Sequence, residues 1–353
     1  MNHPRPYRFR FVIVLGMLSA ILLGGGCSRQ LPSQYFRLLA FGTIMELEVI
    51  GVDRQKAQAA YQTLQQDFQF MHKAWHAWDP GPLGRINQAI ADGRTIAAPP
   101  SVLPLLRISQ ELARKSDYLF DPGIGRLVEL WGFHNSDLEP HAPPRDEDIE
   151  ALVARHPSIR DMKLEGFHLS CDNPAGKLDF GAVGKGYGID RAIERLREMG
   201  ITDAIVNAGG DLRAIGSRAG NPWRIAIRDP DGGSIFALLS VSGDEAVFTS
   251  GNYERNFTWK GKFYHHIIDP RTGRPAVGTA SVTVLHPDAT TADAAATALF
   301  IAGPDDWYRV ARQMGIKYVL LIDTEGMVYM NPAMQKRIEL QKPVQDIHIS
   351  EPL

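Results

Sequence analysis

Cysteine is scarce in this chain, and neither sign of charge is in large excess. Two of the 353 residues are cysteine, at positions 27 and 171, which is too few for a framework of disulfide bonds. The 38 Lys and Arg residues against 40 Asp and Glu residues give a formal net charge of −2. Binding to nucleic-acid phosphates needs a strong basic excess or a basic stripe, so we expect no nucleic-acid partner.

The N-terminus has no apolar run long enough to span a membrane. Residues 11–23 form an apolar run of 13 residues, whereas a membrane-spanning helix needs about 20. Arginines precede this run and three glycines follow it, which is the pattern of a secretory signal peptide over residues 1–26. Small residues directly before Cys27 resemble the bacterial lipoprotein signal, in which this Cys becomes the lipidated first residue. We expect an exported protein that a lipid anchors to the periplasmic face of a bacterial membrane, preferably the inner membrane. The alternative is that the signal peptide is cleaved and no lipid is attached.

The rest of the chain has the composition of a folded protein, with 44% hydrophobic and 22% charged residues. A single core stops growing at roughly 250–300 residues, so we expect a two-lobed body or one large body with a composite core. Strand-like runs follow one another directly, above all in residues 204–268, which favours an α+β fold with largely antiparallel sheets and flanking helices. We predict a lipidated Cys27 and tether over residues 27–40, one domain over residues 41–340, and a C-terminal tail over residues 341–353.

Hydrophobic spacing and capping residues predict the main helices. One helix begins after Asp53 and a second near Ser101. Four further helices cover residues 146–156, 190–199, 290–302 and 304–314. Predicted strands lie at residues 45–50, 223–227, 235–241, 263–268, 281–285 and 317–322.

The densest glycine cluster is Gly181, Gly184, Gly186 and Gly188, with Lys185 among them. Glycines allow a backbone to approach a ligand and to point N–H groups at phosphate oxygens. The segment lacks the Ser or Thr of a Walker A loop and the spacing of a dinucleotide-binding fingerprint. It is either a phosphate-binding loop or a tight turn that leads into a helix.

Asp293 and Thr297 are four residues apart, so on a helix both side-chain oxygens face the same way. A carboxylate and a hydroxyl suit a hard cation such as Mg²⁺. One carboxylate is too little to hold Mg²⁺ tightly, and substrate phosphates would have to supply further ligands. The alternative is that Asp293 only complements the dipole of its helix.

His265 and His266 are neighbours in a predicted strand, so only one of them can face a given site. Such a histidine could act as a general base, or one ring could be packed and the other exposed. Aromatic residues between positions 75 and 131 could stack on a flat ring, although such residues more often belong to a core.

Several segments, in their order along the chain, resemble the ApbE family of FAD:protein FMN transferases. The matching segments are Phe-Gly-Thr-Ile-Met45, Phe120-Asp-Pro, Leu130-Trp-Gly-Phe133, Leu178-Asp-Phe-Gly-Ala-Val-Gly-Lys-Gly-Tyr, Asn207-Ala-Gly-Gly-Asp211, Thr249-Ser-Gly, His266-Ile-Ile-Asp-Pro-Arg-Thr-Gly273 and Ala292-Asp-Ala-Ala-Ala-Thr297. One departure follows Trp78, where the family often has Tyr: the loop reads Asp-Pro-Gly-Pro instead of a Pro-Asp-Ser-like segment.

The resemblance implies an enzyme that binds FAD with Mg²⁺. A Thr or Ser hydroxyl of a target protein attacks the phosphorus of the FMN half, AMP leaves, and FMN stays on the target as a phosphodiester. The family's targets include subunits of membrane redox pumps, such as the sodium-pumping NADH:quinone reductase and the Rnf complex.

The resemblance also implies roles for individual residues. The carbonyl of Ala182, with Asp293 and Thr297, would hold the metal, and His266 would be the general base. The residues implied to contact FAD are Met45, Trp78, Leu119, Phe120, Asp121, Asp179, Lys185 and Ile267.

Three other functions stay open at this point. With water in place of the protein hydroxyl, the same site would act as a pyrophosphatase that converts FAD to FMN and AMP. A second alternative is an exported flavin-binding lipoprotein without catalysis, and a third is a structural lipoprotein of the envelope.

Overall fold

A computed structural model of the chain describes Met1 and residues 31–135 and 137–353. The predicted signal peptide (except Met1) and the predicted lipidation site at Cys27 lie outside these residues. The helices are α1 (Arg54–Trp75), α2 (Pro82–Ala91), α3 (Leu103–Lys115), α4 (Gly125–Leu130), α5 (Asp146–Val153), α6 (Gly184–Glu198), α7 (Ala289–Met314) and α8 (Pro332–Gln335), with a short 3₁₀ turn at Ile159–Asp161. None of the helices in the described part is both long and apolar enough to cross a membrane.

The strands of the described residues are numbered in chain order. They are β1 (Ser33–Ala40), β2 (Thr43–Ile50), β3 (Ile96–Ala97), β4 (Met162–Glu165), β5 (His168–Cys171), β6 (Ala204–Ala208), β7 (Asp211–Gly216), β8 (Trp223–Arg228), β9 (Ile235–Val241), β10 (Gly243–Gly251), β11 (Asn256–Trp259), β12 (Lys262–His265), β13 (Ile268–Asp269), β14 (Arg274–Pro275), β15 (Thr279–His286), β16 (Tyr318–Asp323), β17 (Val328–Met330), β18 (Ile338–Leu340) and β19 (Ile347–Ile349).

Nine of these strands form one central sheet in the order β1-β2-β6-β7-β10-β15-β16-β17-β19. Neighbouring strands are antiparallel except for β17 and β19, which are parallel. Because sequential strands pair directly and the helices are not regular crossovers between parallel strands, the fold is α+β. The predicted fold class is therefore confirmed.

The central sheet has a core on each of its faces. Helices α1, α6 and α7 contact one face, where they pack on β1, β6, β7, β10 and β15. A three-stranded sheet, β18-β9-β8, covers the other face through residues such as Trp223 and Phe236. The two cores share one sheet, as in the alternative of one body with a composite core. A smaller core around Trp131, Phe133 and Phe257 lies beneath the β11–β12 hairpin.

Local sequence explains why the longest helices begin and bend where they do. Asp53 caps α1 by accepting a hydrogen bond from the backbone N–H of Lys56 at 2.8 Å. Helix α7 is kinked at Gly303, whose φ of 70° lies in the left-handed region, and Pro304 starts the second half. The two helices predicted there are therefore two halves of one kinked element.

The structure corrects the predicted tether and tail. Residues 33–40 pair with β2 along their whole length as strand β1, and Phe36 stacks on Tyr61 at 4.8 Å between ring centroids. In the predicted tail, Ile347–Ile349 forms the parallel edge strand β19. Exposed and half-buried residues alternate along β1, but the exposed positions include Tyr35 and Leu39. The sequence itself therefore lacks the apolar–polar alternation that would have predicted this edge strand.

Candidate active site

The candidate site lies at one end of the central sheet, where several strands begin or end. Met45 in β2 is paired with Ala208 in β6, and Ala208 is paired with Asp211 in β7. Gly209 and Gly210 join β6 to β7 with φ values of 64° and 109°, a left-handed turn that favours glycine. The predicted Asn207–Asp211 turn therefore places Asp211 at this end of the sheet.

Helices α6 and α7 meet beside this sheet end, and glycine makes their close approach possible. A Cβ atom at residue 186 would lie 2.3 Å from the carbonyl oxygen of Ala289 and 2.8 Å from the Cβ of Asp293. A Cβ atom at residue 188 would lie 2.9 Å from the ring of Phe41. Gly186 and Gly188 thus serve helix packing within α6, which begins at Gly184 and not at Asp190 as predicted.

Of the three residues predicted to hold a metal, Asp293 and Thr297 lie on α7 and Ala182 lies two residues before α6. The backbone N–H of Gly186 lies in the first turn of α6, where N–H groups have no partner within the helix, and it donates to Oδ2 of Asp293 at 2.8 Å. No hydrogen bond from the described residues reaches that carbonyl. One turn after Asp293 on α7, the hydroxyl of Thr297 lies 3.3 Å from Oγ of Ser250.

These oxygens fit a hard cation. Burial raises the pKa of Asp293 to about 7, and the positive charge of Lys185 partly opposes this shift. A nearby cation would therefore stabilise the ionised form of this carboxylate. A carbonyl, a carboxylate and a hydroxyl are oxygen ligands of the kind Mg²⁺ takes. Within residues 31–135 and 137–353, no group of three or more His, Cys, Asp and Glu side chains could hold a metal. A cation here would therefore need ligands from its substrate, as expected from the sequence.

Lys185 forms an ion pair with Asp211 across the same sheet end. Burial alone would lower the pKa of Lys185, but the charges of Asp211 and Asp293 raise it, so the side chain stays cationic. Asp211 is held by the backbone N–H of Thr249, which donates to Oδ1 at 2.9 Å. Lys185 is thus a fixed positive charge beside Asp293, suited to an anionic substrate.

The two neighbouring histidines have different environments. His265 is buried, and its Nε2–H donates to the carbonyl of Ala276 at 2.8 Å. His266 is half-buried, and its Nδ1–H donates to the carbonyl of Arg255 at 3.2 Å. Because that carbonyl can only accept, the hydrogen bond leaves Nε2 of His266 as the acceptor. Strand β12 ends at His265, so His266 lies just outside it, and the prediction that only one of the two serves the site stays a prediction.

Electrostatics keep His266 neutral. Burial and the positive charge of Arg255 lower the pKa of His266 below its ordinary value, and Lys185 acts in the same direction. Arg255 is anchored through its guanidinium, which donates to the carbonyl of Phe133 at 2.8 Å and of Asn135 at 2.7 Å. The same guanidinium faces Asp179, whose pKa is raised by burial in spite of a hydrogen bond from Gly181 and the charge of Arg255.

Four residues predicted to contact FAD are nearly closed to solvent. They are Met45, Leu119, Phe120 and Ile267, with exposed fractions of 1%, 4%, 1% and 5%. Asp121 uses its carboxylate within the chain, where it accepts hydrogen bonds from Gly123, Ser158 and Ile159. These five residues therefore present little surface, from side chain or backbone, for a contact with FAD. The segment itself is close to Asp179, whose N–H donates to the carbonyl of Pro122 at 2.8 Å.

Trp78 remains partly open. The ammonium of Lys177 lies 4.1 Å from the centroid of its ring, and the ring of His134 lies 5.3 Å away. Lys177 is also paired with Glu129 at 2.9 Å. Trp78 thus has the partly exposed aromatic surface expected of a stacking residue.

Two charged residues behind the site were not predicted from the sequence. Asp190 on α6 and Arg213 on β7 form a buried ion pair at 2.5 Å. Asp190 also accepts hydrogen bonds from the first residues of α7. A helix N-terminus is visible in the sequence at Asp288, but nothing local indicates that a carboxylate 98 residues earlier would also cap it.

Comparison with known proteins identifies the family of this chain. The family model described as the ApbE family matches residues 41–320. The chain belongs to the ApbE family.

Related proteins extend over most of the chain. The chain is 41% identical over 335 residues to the FAD:protein FMN transferase of Rhodobacter capsulatus. This alignment covers 94% of this chain but 64% of that protein. It is 31% identical to the FAD:protein FMN transferase of Klebsiella pneumoniae, with 90% of this chain and 94% of that protein covered. The chain therefore spans less than two thirds of the Rhodobacter relative.

Solved structures of ApbE proteins share the fold. The apbe protein of Thermotoga maritima superposes with a TM-score of 0.75 at 31% identity, covering 84% of this chain and 96% of that one. The apo form of the flavinyl transferase ApbE of Pseudomonas stutzeri superposes with a TM-score of 0.76 at 27% identity, covering 90% of this chain and 99% of that one.

Proposed function

We propose that this ApbE-family chain transfers FMN from FAD to a Thr or Ser hydroxyl of a target protein, with release of AMP. Family membership and the names of the relatives support the reaction. The observation that carries the proposal for this chain is the junction of α6 and α7. There the N–H of Gly186 binds Asp293, and no hydrogen bond from the described residues reaches the Ala182 carbonyl.

We further propose that the divalent cation is Mg²⁺, held by the Ala182 carbonyl, Asp293 and Thr297 together with phosphate oxygens of FAD. When bound, the cation would neutralise the negative charge that develops on the phosphates during transfer. Lys185 adds a fixed positive charge on the same side. Asp179, Trp78 and the neighbouring 119–121 segment would hold the rest of FAD.

His266 would accept the proton in the transfer step. Its Nδ1–H is bound to the Arg255 carbonyl, so Nε2 presents the free electron pair. The target hydroxyl oxygen forms a bond to the phosphorus of the FMN half while the bond from that phosphorus to the oxygen of AMP breaks. The hydroxyl proton goes to Nε2, and AMP carries away the electron pair of the broken bond.

The target and the location are also proposals. We propose that the targets are flavin-carrying subunits of membrane redox pumps, such as the sodium-pumping NADH:quinone reductase or Rnf-type complexes. An exported, lipid-anchored enzyme would meet such subunits at the periplasmic face of the inner membrane.

The proposal is tested by incubating the full chain with FAD, Mg²⁺ and a candidate subunit. We expect in-gel flavin fluorescence on the subunit, a mass increase equal to FMN minus water, and one AMP released per FMN attached. A chain with Asp293→Ala should bind FAD but transfer nothing. Rapid release of AMP and FMN without any target would instead identify a pyrophosphatase, and FAD binding without AMP release would identify a flavin-binding protein.

A further inference from the structure

Helices α6 and α7 are tied together at two points, one helical turn apart. The first tie is the hydrogen bond from Gly186 to Asp293. The second is Asp190, four residues later on α6. Its carboxylate accepts from the N–H groups of Ala289 at 2.9 Å and Thr290 at 2.8 Å, and from the Thr290 hydroxyl at 2.5 Å. Ala289 lies one turn before Asp293, so the two ties are in register.

The N-terminus of α7 is capped by two carboxylates of different origin. Asp288, the residue before the helix, accepts from the N–H of Thr291 at 2.7 Å in the usual manner of an N-cap. Asp190 comes from another helix and binds two further N–H groups that have no partner within α7. Both carboxylates stabilise the helix, but only Asp190 also fixes its position relative to α6.

Asp190 is itself held from the sheet. The guanidinium of Arg213 donates to Asp190 at 2.5 Å and, through two nitrogens, to Asp244 at 2.8 and 2.9 Å. The side chains of Asp190 and Arg213 are only 8% and 10% exposed. Removal of one partner from such a pair leaves the other charge buried and uncompensated. The sheet, α6 and α7 therefore move as one unit at this point.

We infer that Asp190 is a positioning residue for the cation site. By holding Ala289 and Thr290, it sets Asp293 against Gly186, so that the carboxylate oxygens are in place before the cation arrives. The inference rests on the proposed function, because it assumes that these oxygens hold a cation. Asp190 acts through α7 and not through contact with FAD.

The test is Asp190→Asn in the full chain, which places an amide donor against the N–H groups of α7. Mn²⁺ serves as the probe, and its binding in the presence of FAD is followed by electron paramagnetic resonance. We expect its dissociation constant to rise about tenfold or more, as for other residues that orient metal ligands. The Mg²⁺ concentration for half-maximal transfer should rise in parallel, with little change in kcat at saturating Mg²⁺.

Two further variants separate positioning from stability. Asp288→Ala removes a cap from the same helix without touching α6, so it should lower the Tm but change Mn²⁺ affinity by no more than about twofold. Thr290→Val removes one donor to Asp190 and should weaken Mn²⁺ binding to a smaller extent, even if Asp190→Asn fails to fold. Unchanged Mn²⁺ affinity in the Asp190 and Thr290 variants, or an equal loss in Asp288→Ala, would overturn the inference.

The measurement also distinguishes the two proposals. Mn²⁺ binding is recorded without a target protein. A wild-type chain that binds Mn²⁺ with FAD, shows the dependence on Asp190 and yet transfers no FMN would contradict the proposed function and support the positioning role. A wild-type chain that binds no Mn²⁺ in the presence of FAD would overturn the positioning role.

Discussion

At the scale of single residues, the chemistry depends on which nitrogen of His266 is free. The Arg255 carbonyl accepts both the backbone N–H of His266, at 3.0 Å, and its ring Nδ1–H, at 3.2 Å. One backbone oxygen thus fixes the tautomer and the ring orientation, and Nε2 is left to accept a proton. The guanidinium of the same Arg255 lowers the pKa of the ring, so the acceptor is not blocked by protonation at neutral pH.

Replacement of His266 by Gln should therefore reduce FMN transfer by about 10²–10⁴-fold, the usual contribution of a positioned general base. FAD binding, measured by quenching of flavin fluorescence, should change little. The wild-type transfer rate should show no inflection near pH 6.5, since the folded-state pKa of His266 lies lower and its ring stays neutral through this range.

The neighbouring histidine provides the control for this variant. His265→Gln breaks a buried hydrogen bond to Ala276, so it should lower the Tm, with little effect on transfer by the folded fraction. Equal transfer by wild type and His266→Gln would exclude His266 as the base. A rate that falls tenfold per pH unit below pH 6.5 would instead contradict the lowered pKa of His266.

At the scale of elements, the site depends on how closely α6 and α7 approach each other. Gly186→Ala would place a Cβ 2.3 Å from the Ala289 carbonyl oxygen, so the helices have to separate. Overpacking of this kind costs about 1–3 kcal/mol of unfolding free energy. The separation should also weaken metal binding, because the Gly186–Asp293 hydrogen bond spans the same contact.

Gly181→Ala is the matched control within the same glycine cluster. A Cβ there would meet only the Asp179 side chain, at 3.4 Å, and residue 181 is exposed. Urea denaturation and Mn²⁺ titration of both variants check the prediction: the Gly186 variant should lose stability and affinity, and the Gly181 variant should lose neither. Similar behaviour of the two would show that the helices are not tightly packed at residue 186.

The contrast between these glycines shows what the sequence could and could not predict. Features within one element were predictable, such as the Asp53 cap of α1 and the spacing of Asp293 and Thr297 on α7. The role of Gly186 depends on a helix about 100 residues later, and the role of Asp190 depends on that helix and on Arg213 in the sheet. Such tertiary contacts have no local pattern, and neither does the pairing that makes residues 33–40 an edge strand.

At the scale of the whole molecule, the described chain places its candidate site at one end of a single sheet. The strands β2, β6, β7 and β10 meet there, and both tied helices pack beside them. Elements from residues 43 to 297 thus contribute to one site, in agreement with the family match over residues 41–320. Strand β1 forms one edge of the sheet and packs on α1, and β19 forms the other edge.

The last prediction concerns the attachment of the whole molecule to a membrane. If Cys27 is lipidated, wild type expressed in a bacterial host should incorporate labelled palmitate and sediment with the membrane fraction, since two or more acyl chains give stable anchoring. Cys27→Ser should lose both properties. Cys171→Ser is the control, because that buried thiol donates to the Asn173 carbonyl and should not affect the label.

Anchoring would confine the enzyme and a membrane-bound target to one surface, so flavinylation of that target in cells should fall in Cys27→Ser although the purified variant keeps its transfer rate. Unlabelled wild type, or label that disappears with Cys171, would contradict the lipid anchor.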